Sequence, residues 1–215
     1  MQTKSESPDD VPSEAPTNPS PPPEATKSRK KRPKALEFIE TIVVAVLLAI
    51  LIRATIAEAR FIPSGSMIPT LEVGDRLVVE KLSYYFSDPQ RGDIVVFYPP
   101  NPSVEPLSNT ERFFRWLGFT REAAYIKRVV GLPGEILAVQ DGHVLINGEP
   151  LSELYTEFPA LDETPPTQVP AGHYFMMGDN RNNSKDSRVW GSMPRQNVIG
   201  KASVRFWPPQ RLGLP

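Results

Sequence analysis

At 215 residues, with a net charge of −1 and a pI near 6.2, the chain has room for one domain plus extras and exerts no overall pull on nucleic acid. The absence of cysteine excludes disulfides, thiol catalysis and thiolate metal sites, and two histidines, His143 and His173, are too few for a multi-histidine metal centre. Its 25 prolines, well above the usual share of about 5%, favour turns and broken strands over a helical bundle.

Residues 1–27 are polar, acidic and proline-rich, with too little apolar surface to offset the entropy of ordering, and are predicted to be disordered. Asp9, Asp10 and the neighbouring glutamates argue against an organelle transit peptide, a class poor in acids. The basic stretch SRKKRPK follows and completes a tail over 1–34. Thr41 to Ile52 carries no charge but covers only about 18 Å, short of a hydrocarbon core of about 30 Å. Taken over 36–57, with Glu40 and Arg53 near the two interfaces, the segment is long enough to span. Basic residues before it place the N-terminus in the cytoplasm and the rest of the chain on the far side. A cleaved signal peptide is the rival reading, because Ala57-Glu58-Ala59 has the form of a cleavage site. The long N-terminal extension and the charges at Glu37, Glu40 and Arg53 weigh against it.

Residues 58–215 read mainly as strands. GDRLVVEKL (74–82) and GDIVVFYP (92–99) each leave a Gly-Asp turn and run into β-branched and aromatic residues. EILAVQDGHVLI (135–146) is a hairpin with Asp141-Gly142 in its turn, and Asn147-Gly148 marks the next turn. The hairpin and a proline-studded loop over 157–172 form a small subdomain around 135–172. HYFMMG (173–178) and VIGKASVRFW (198–207) are two further strands. One soluble helix is expected around 109–122, with Phe113, Phe114, Trp116 and Phe119 packed on the β core rather than dipping into lipid. The expected fold is therefore mainly β, an antiparallel sheet domain on one N-terminal transmembrane helix.

Three segments carry candidate chemistry. In FIPSGSMIPTL (61–71), Ser66 follows Gly65 on an elbow held between Pro63 and Pro69; alone, this is more commonly a polar turn, and Ser192 repeats the Gly-Ser-Met triplet. A serine hydroxyl needs a base. His143 and His173 suit surface and structural positions, and no local pattern joins either to Asp179 or Asp186 in a triad. Lys127, in AYIKRVVGLPGE (124–135), alternates with Tyr125 and Val129 on one strand face. Lysines usually reach for water; a desolvated one loses its proton toward neutral pH and becomes a base. GDNRNNSKDSR (178–188) is either a hydrated loop or a support, with Ser184 able to orient an amine and Asp186 and Arg188 able to brace the loop.

Together, FIPSGSMIPTL, RGDIVVF (91–97), YIKRVVGLPGE and GDNRNNSKDSR, in this order after a membrane segment, resemble the type I signal peptidases, the membrane-bound Ser-Lys leader peptidases. The resemblance covers residues 36–207. It implies the antiparallel β fold shared with repressor-type Ser-Lys proteases, Ser66 as nucleophile and Lys127 as general base. It further implies an oxyanion hole from the Ser64 hydroxyl and the Ser66 N–H, Ser184 bonded to the base, and Asp186 with Arg188 as a supporting pair. Ile62, Leu71 and Ile126 fall near positions that line the family's pockets for small side chains. The implied substrates are signal peptides of preproteins emerging from a translocase, cut after A-x-A type sites. The expected setting is the plasma membrane, or also a thylakoid membrane, without metal, organic cofactor or nucleic acid. Asn182, where many members have aspartate, and Lys185 depart from the family pattern. So does the long segment 98–124. A self-cleaving repressor-like protease and an inactive membrane-tethered binding module are the alternatives, and the Ala57-Glu58-Ala59 triplet suggests self-cleavage.

Overall fold

The computed structural model describes residues 33–100, 108–117 and 123–215, without the side chains of Arg115 and Trp116. The predicted disordered tail, most of the basic cluster and Phe119 lie outside the described residues. The first element is α1, Lys34–Thr55, whose 22 residues reach about 33 Å, enough to cross a hydrocarbon core. Glu37 in its first turn and Arg53 in its last complement the helix dipole. Among its residues only Ala54 is buried.

The helix ends two residues earlier than expected, because the chain turns at once into strand β1, Ala57–Phe61, paired antiparallel with β2, Arg76–Glu80. The Ile56 carbonyl accepts from Lys81 N–H at 2.8 Å. The Lys81 ammonium donates to the Arg53 carbonyl at 2.8 Å and to Glu58 at 3.0 Å. A last-turn carbonyl that no helical N–H can reach is thus capped by a cation. Ala57-Glu58-Ala59 is consequently paired within a sheet, with Glu58 buried.

The remaining elements, in chain order, are α2 (Ser83–Phe86), β3 (Ile94–Phe97), α3 (Asn109–Trp116), β4 (Tyr125–Gly131), β5 (Ile136–Gln140), β6 (His143–Ile146), β7 (Glu149–Pro150), β8 (Thr164–Gln168), β9 (His173–Met177), α4 (Ser187–Trp190), β10 (Met193–Pro194) and β11 (Val198–Trp207). Seven strands form one sheet in the order β1-β2-β11-β3-β4-β9-β10, and a second sheet runs β7-β6-β5-β8. All recorded pairings are antiparallel. Asp141 (φ 49°) and Gly142 (φ 80°) supply the left-handed pair that a two-residue hairpin turn requires. The proline-studded segment is not wholly loop. Thr164–Gln168 forms β8 at the edge of the small sheet, the one place where Pro165 and Pro166 can sit without depriving a second neighbour of a donor.

Strand β4 lies inside the large sheet and is buried on both faces from Lys127 onward. Val129 packs with Val95, Phe97 and Met176, whereas Val130 packs with Leu137, Phe175 and Met177 beneath the small sheet. A third cluster joins Ile62, Met67, Leu71, Leu77 and Ile94. Helix α3 is opened by a capping box in which Ser108 and Glu111 exchange hydrogen bonds of 2.8 and 3.2 Å. Phe113 and Phe114 do not join the β core: they are 54% and 49% exposed.

Candidate active site

The elbow between β1 and β2 is built around Met67, which is completely buried and holds the turn onto the third core cluster. Burial of such a side chain contributes about 1.5–3 kcal/mol. Bonds from Leu71 N–H to the Met67 carbonyl (2.9 Å) and from Ile68 N–H to the Gly65 carbonyl (3.2 Å) tighten it. The segment after β9 clamps the elbow from the other side. Asn180 donates its N–H to the Ser66 carbonyl at 3.2 Å and its side-chain amide to the Gly65 carbonyl at 3.1 Å. Gly178 is required here, since a Cβ would overlap the Ser66 carbonyl oxygen and the Ser184 hydroxyl.

Within this frame the Lys127 ammonium nitrogen lies 2.6 Å from Ser66 Oγ and 3.0 Å from the Ile126 carbonyl. Both side chains belong to buried residues, Ser66 at 8% and Lys127 at 5% exposure. Burial pulls the Lys127 pKa down to about 8, against a smaller upward pull from the charges of Asp186 and Asp179. Among the described residues the Ser66 N–H has no hydrogen-bond acceptor and so stays available. Ser64 is exposed on the same elbow.

Asp186 receives Arg188 through two bonds of 2.9 Å and accepts the Gly178 N–H at 3.0 Å. The pair therefore braces the turn that carries the elbow's cradle. Ser184 differs from expectation: its hydroxyl is buried beside Gly178 without a hydrogen-bond partner among the described residues, and the bond to Lys127 is not formed. The proposed pocket residues differ as well. Ile62 and Leu71 are 2% and 0% exposed and belong to the core, because Ile62 follows directly on β1 and Leu71 closes the turn on Met67, while Ile126 is half-buried at the margin. Lys185 is exposed, and its carbonyl accepts the Trp190 indole. His173 bonds the Ala171 carbonyl, and His143 pairs opposite Gln140 in the small sheet; neither bonds Ser66.

Several residues in the surroundings were not singled out from sequence. Arg128, the neighbour of Lys127, binds Asp179 through bonds of 2.9 and 2.6 Å and the Gly92 carbonyl at 2.7 Å. Asp179 also accepts the Thr70 hydroxyl at 2.6 Å, so Asp179 is committed to an arginine rather than to a histidine triad. The Tyr155 ring packs under the Arg128 guanidinium at 4.0 Å, and its hydroxyl donates to Glu153 at 2.6 Å. Glu153 in turn takes a bidentate pair from Arg181. The adjacency of Lys127 and Arg128 was the one available signal, since two cations in one buried strand need carboxylate partners.

The family model for signal peptidase, peptidase S26, matches residues 35–207. A signal peptidase I of Leptolyngbya laminosa is 50% identical over 208 residues, covering 94% of each chain. A probable signal peptidase I-1 of Synechocystis is 49% identical over 177 residues, 82% of this chain and 85% of that one. A probable chloroplastic thylakoidal processing peptidase 2 of Arabidopsis thaliana is 40% identical over 168 residues, 78% of this chain and 43% of that one.

Proposed function

The chain belongs to the signal peptidase family, peptidase S26, and from that premise we propose that it is a membrane-anchored serine endopeptidase working through Ser66 and Lys127. The observation that carries the reading is the 2.6 Å contact between Ser66 Oγ and the desolvated Lys127 amine. With a pKa of about 8, roughly a tenth of the lysine is neutral at pH 7. The neutral amine takes the Ser66 proton as Oγ attacks the scissile carbonyl. The Ser66 N–H and the Ser64 hydroxyl hold the oxyanion, a contribution on the order of 10²–10³-fold per donor. Protonated Lys127 then donates to the leaving amine, and the neutral amine next activates the water that cleaves the acyl-enzyme. General acid–base action of this kind supplies roughly 10²–10⁴-fold.

The substrate is the signal peptide of an exported preprotein, delivered by a translocase and cut after small residues at the A-x-A positions. Ile62 and Leu71 act from beneath as the floor of the small-residue pocket, and Ile126 stands at its edge. Asp186 and Arg188 hold the Gly178 turn, and Ser184, whose buried hydroxyl has no hydrogen-bond partner among the described residues, bonds the lysine during turnover. Helix α1 spans the membrane with the tail of residues 1–34 in the cytoplasm, and the β domain, including the subdomain around 135–172, lies on the outer face. Similarity to both cyanobacterial and thylakoidal peptidases supports the plasma membrane and the thylakoid as settings.

The test is cleavage of a preprotein with alanine at both small-residue positions by the detergent-solubilised full chain. Wild type and Lys185→Ala are expected to cut, and Ser66→Ala and Lys127→Ala to fail. Normal cleavage by Lys127→Ala would reassign the base. No cleavage by wild type would favour a binding module.

A further inference from the structure

Helix α3 is a second element with an apolar face outside the β core. Its register places Phe113, Phe114 and Leu117 within one broad arc, with Glu111 and Arg112 on the remainder. Phe113 and Phe114 meet edge to face, with ring centroids 5.9 Å apart, while each keeps about half its surface exposed. Aromatic and basic residues of this kind characterise helices that lie in the interfacial layer of a bilayer.

The C-terminal neighbour of α3 shows which part of α1 it lies beside. Leu117 faces a groove on α1 formed by Val46, Ala49, Ile50 and Arg53. Val46 is nine residues from the end of α1, so the groove runs from about 3 to about 14 Å below that end at 1.5 Å per residue. If α1 spans about 30 Å of hydrocarbon, this range falls within the leaflet nearer the β domain. The same stretch of α1 is exposed, with Val46 at 51% and Leu47 at 60%. The apolar face of α3 is thus continuous with a lipid-facing helix at a depth where water does not compete for it.

We infer that α3 is an interfacial membrane helix that embeds its Phe113–Phe114 face in the bilayer beside α1 and gives the β domain a second point of membrane contact. This rests on the reading that α1 spans the membrane. One helix fixes the height of the elbow but leaves the domain free to swivel about the helix axis. A second contact removes that freedom and sets which way Ser66 faces.

The chain contains no cysteine, so single-cysteine variants of the full chain can each carry one environment-sensitive fluorophore. Phe114→Cys and Arg112→Cys lie about 200° apart around the helix, and Leu47→Cys reports on α1. Each labelled protein is reconstituted into phosphatidylcholine–phosphatidylglycerol vesicles, with or without lipids bearing a nitroxide near the headgroup or deep in the acyl chain. The expected result is blue-shifted emission at position 114, quenched more by the shallow than by the deep nitroxide, with weaker quenching at 112. Emission at 114 that is no more quenched than at 112, while position 47 is quenched, would overturn the inference and leave the anchor standing. A label at 114 shielded from water but unquenched would mean that protein covers it, and would overturn the inference in the same way. Absence of quenching at 47 would overturn the anchor and the inference together.

Discussion

Replacing Lys127 by methionine should abolish cleavage and at the same time alter the pH dependence of stability in a calculable way. Burial lowers the Lys127 pKa from 10.5 to about 8, a gap worth about 3 kcal/mol between folded and unfolded states. Below pH 8 the amine is protonated in both states, and the wild type carries the whole cost of burying a charge. Between about 8 and 10.5 the unfolded chain holds a proton that the folded chain has released, so wild-type stability rises with pH; above 10.5 the cost is gone. Methionine has a similar reach and no charge, so its variant lacks this component. The loss of the bonds to Ser66 and the Ile126 carbonyl adds an offset that does not change with pH. The stability difference between the two proteins should therefore move by about 2 kcal/mol in favour of the wild type from pH 7 to pH 9.5. Guanidinium titrations in detergent, followed by tryptophan fluorescence, measure it at each pH. A difference that stays flat, or moves toward the variant, would refute a desolvated Lys127.

Asp186→Asn should shift the acid limb of the wild-type pH–activity profile to lower pH, because the Asp186 charge raises the Lys127 pKa; peptide cleavage from pH 6 to 9 reads the direction, and a shift upward contradicts the electrostatics. Gly178→Ala should cost at least tenfold in kcat, because the added Cβ displaces the Ser66 carbonyl and the Ser184 hydroxyl; steady-state kinetics with an unchanged circular dichroism spectrum would locate the loss at the site. Lys81→Met should destabilise by about 2 kcal/mol, since Glu58 stays buried but keeps Arg60 at 2.6 Å as its remaining partner; denaturant unfolding at pH 7 measures this, and a neutral outcome would remove Lys81 from the junction.

The sequence was most informative where local chemistry decides the outcome. Asp141-Gly142 can adopt left-handed backbone at both positions, so the hairpin and its register followed directly. Pro165 and Pro166 misled, because they forbid a central strand but not an edge, and only the assembled sheet has an edge to offer. The α1–β1 boundary depended on Lys81, more than twenty residues away, closing on the Arg53 carbonyl and Glu58. The periodicity of α3 was legible, but which surface its aromatic residues face is a tertiary outcome. At the site, Ser66 and Lys127 stood out by motif and are brought together. The Arg128–Asp179 and Arg181–Glu153 pairs did not stand out, because a charged residue in a sequence gives no sign of how deeply it is buried.

The Lys81 clasp at the foot of the helix has a further consequence for the choice of substrate. A hinge at that position would let the elbow sweep through many heights above the bilayer and average over them. With the helix end tied into β1 and β2, an enzyme anchored through α1 as proposed would work as a gauge of fixed height. The length of the apolar stretch that precedes a cut site would then become a quantity it measures, alongside the small residues proposed for its pocket. A preprotein with the right residues but an overlong stretch would hold its bond out of reach, and loosening the clasp would widen the range of lengths accepted.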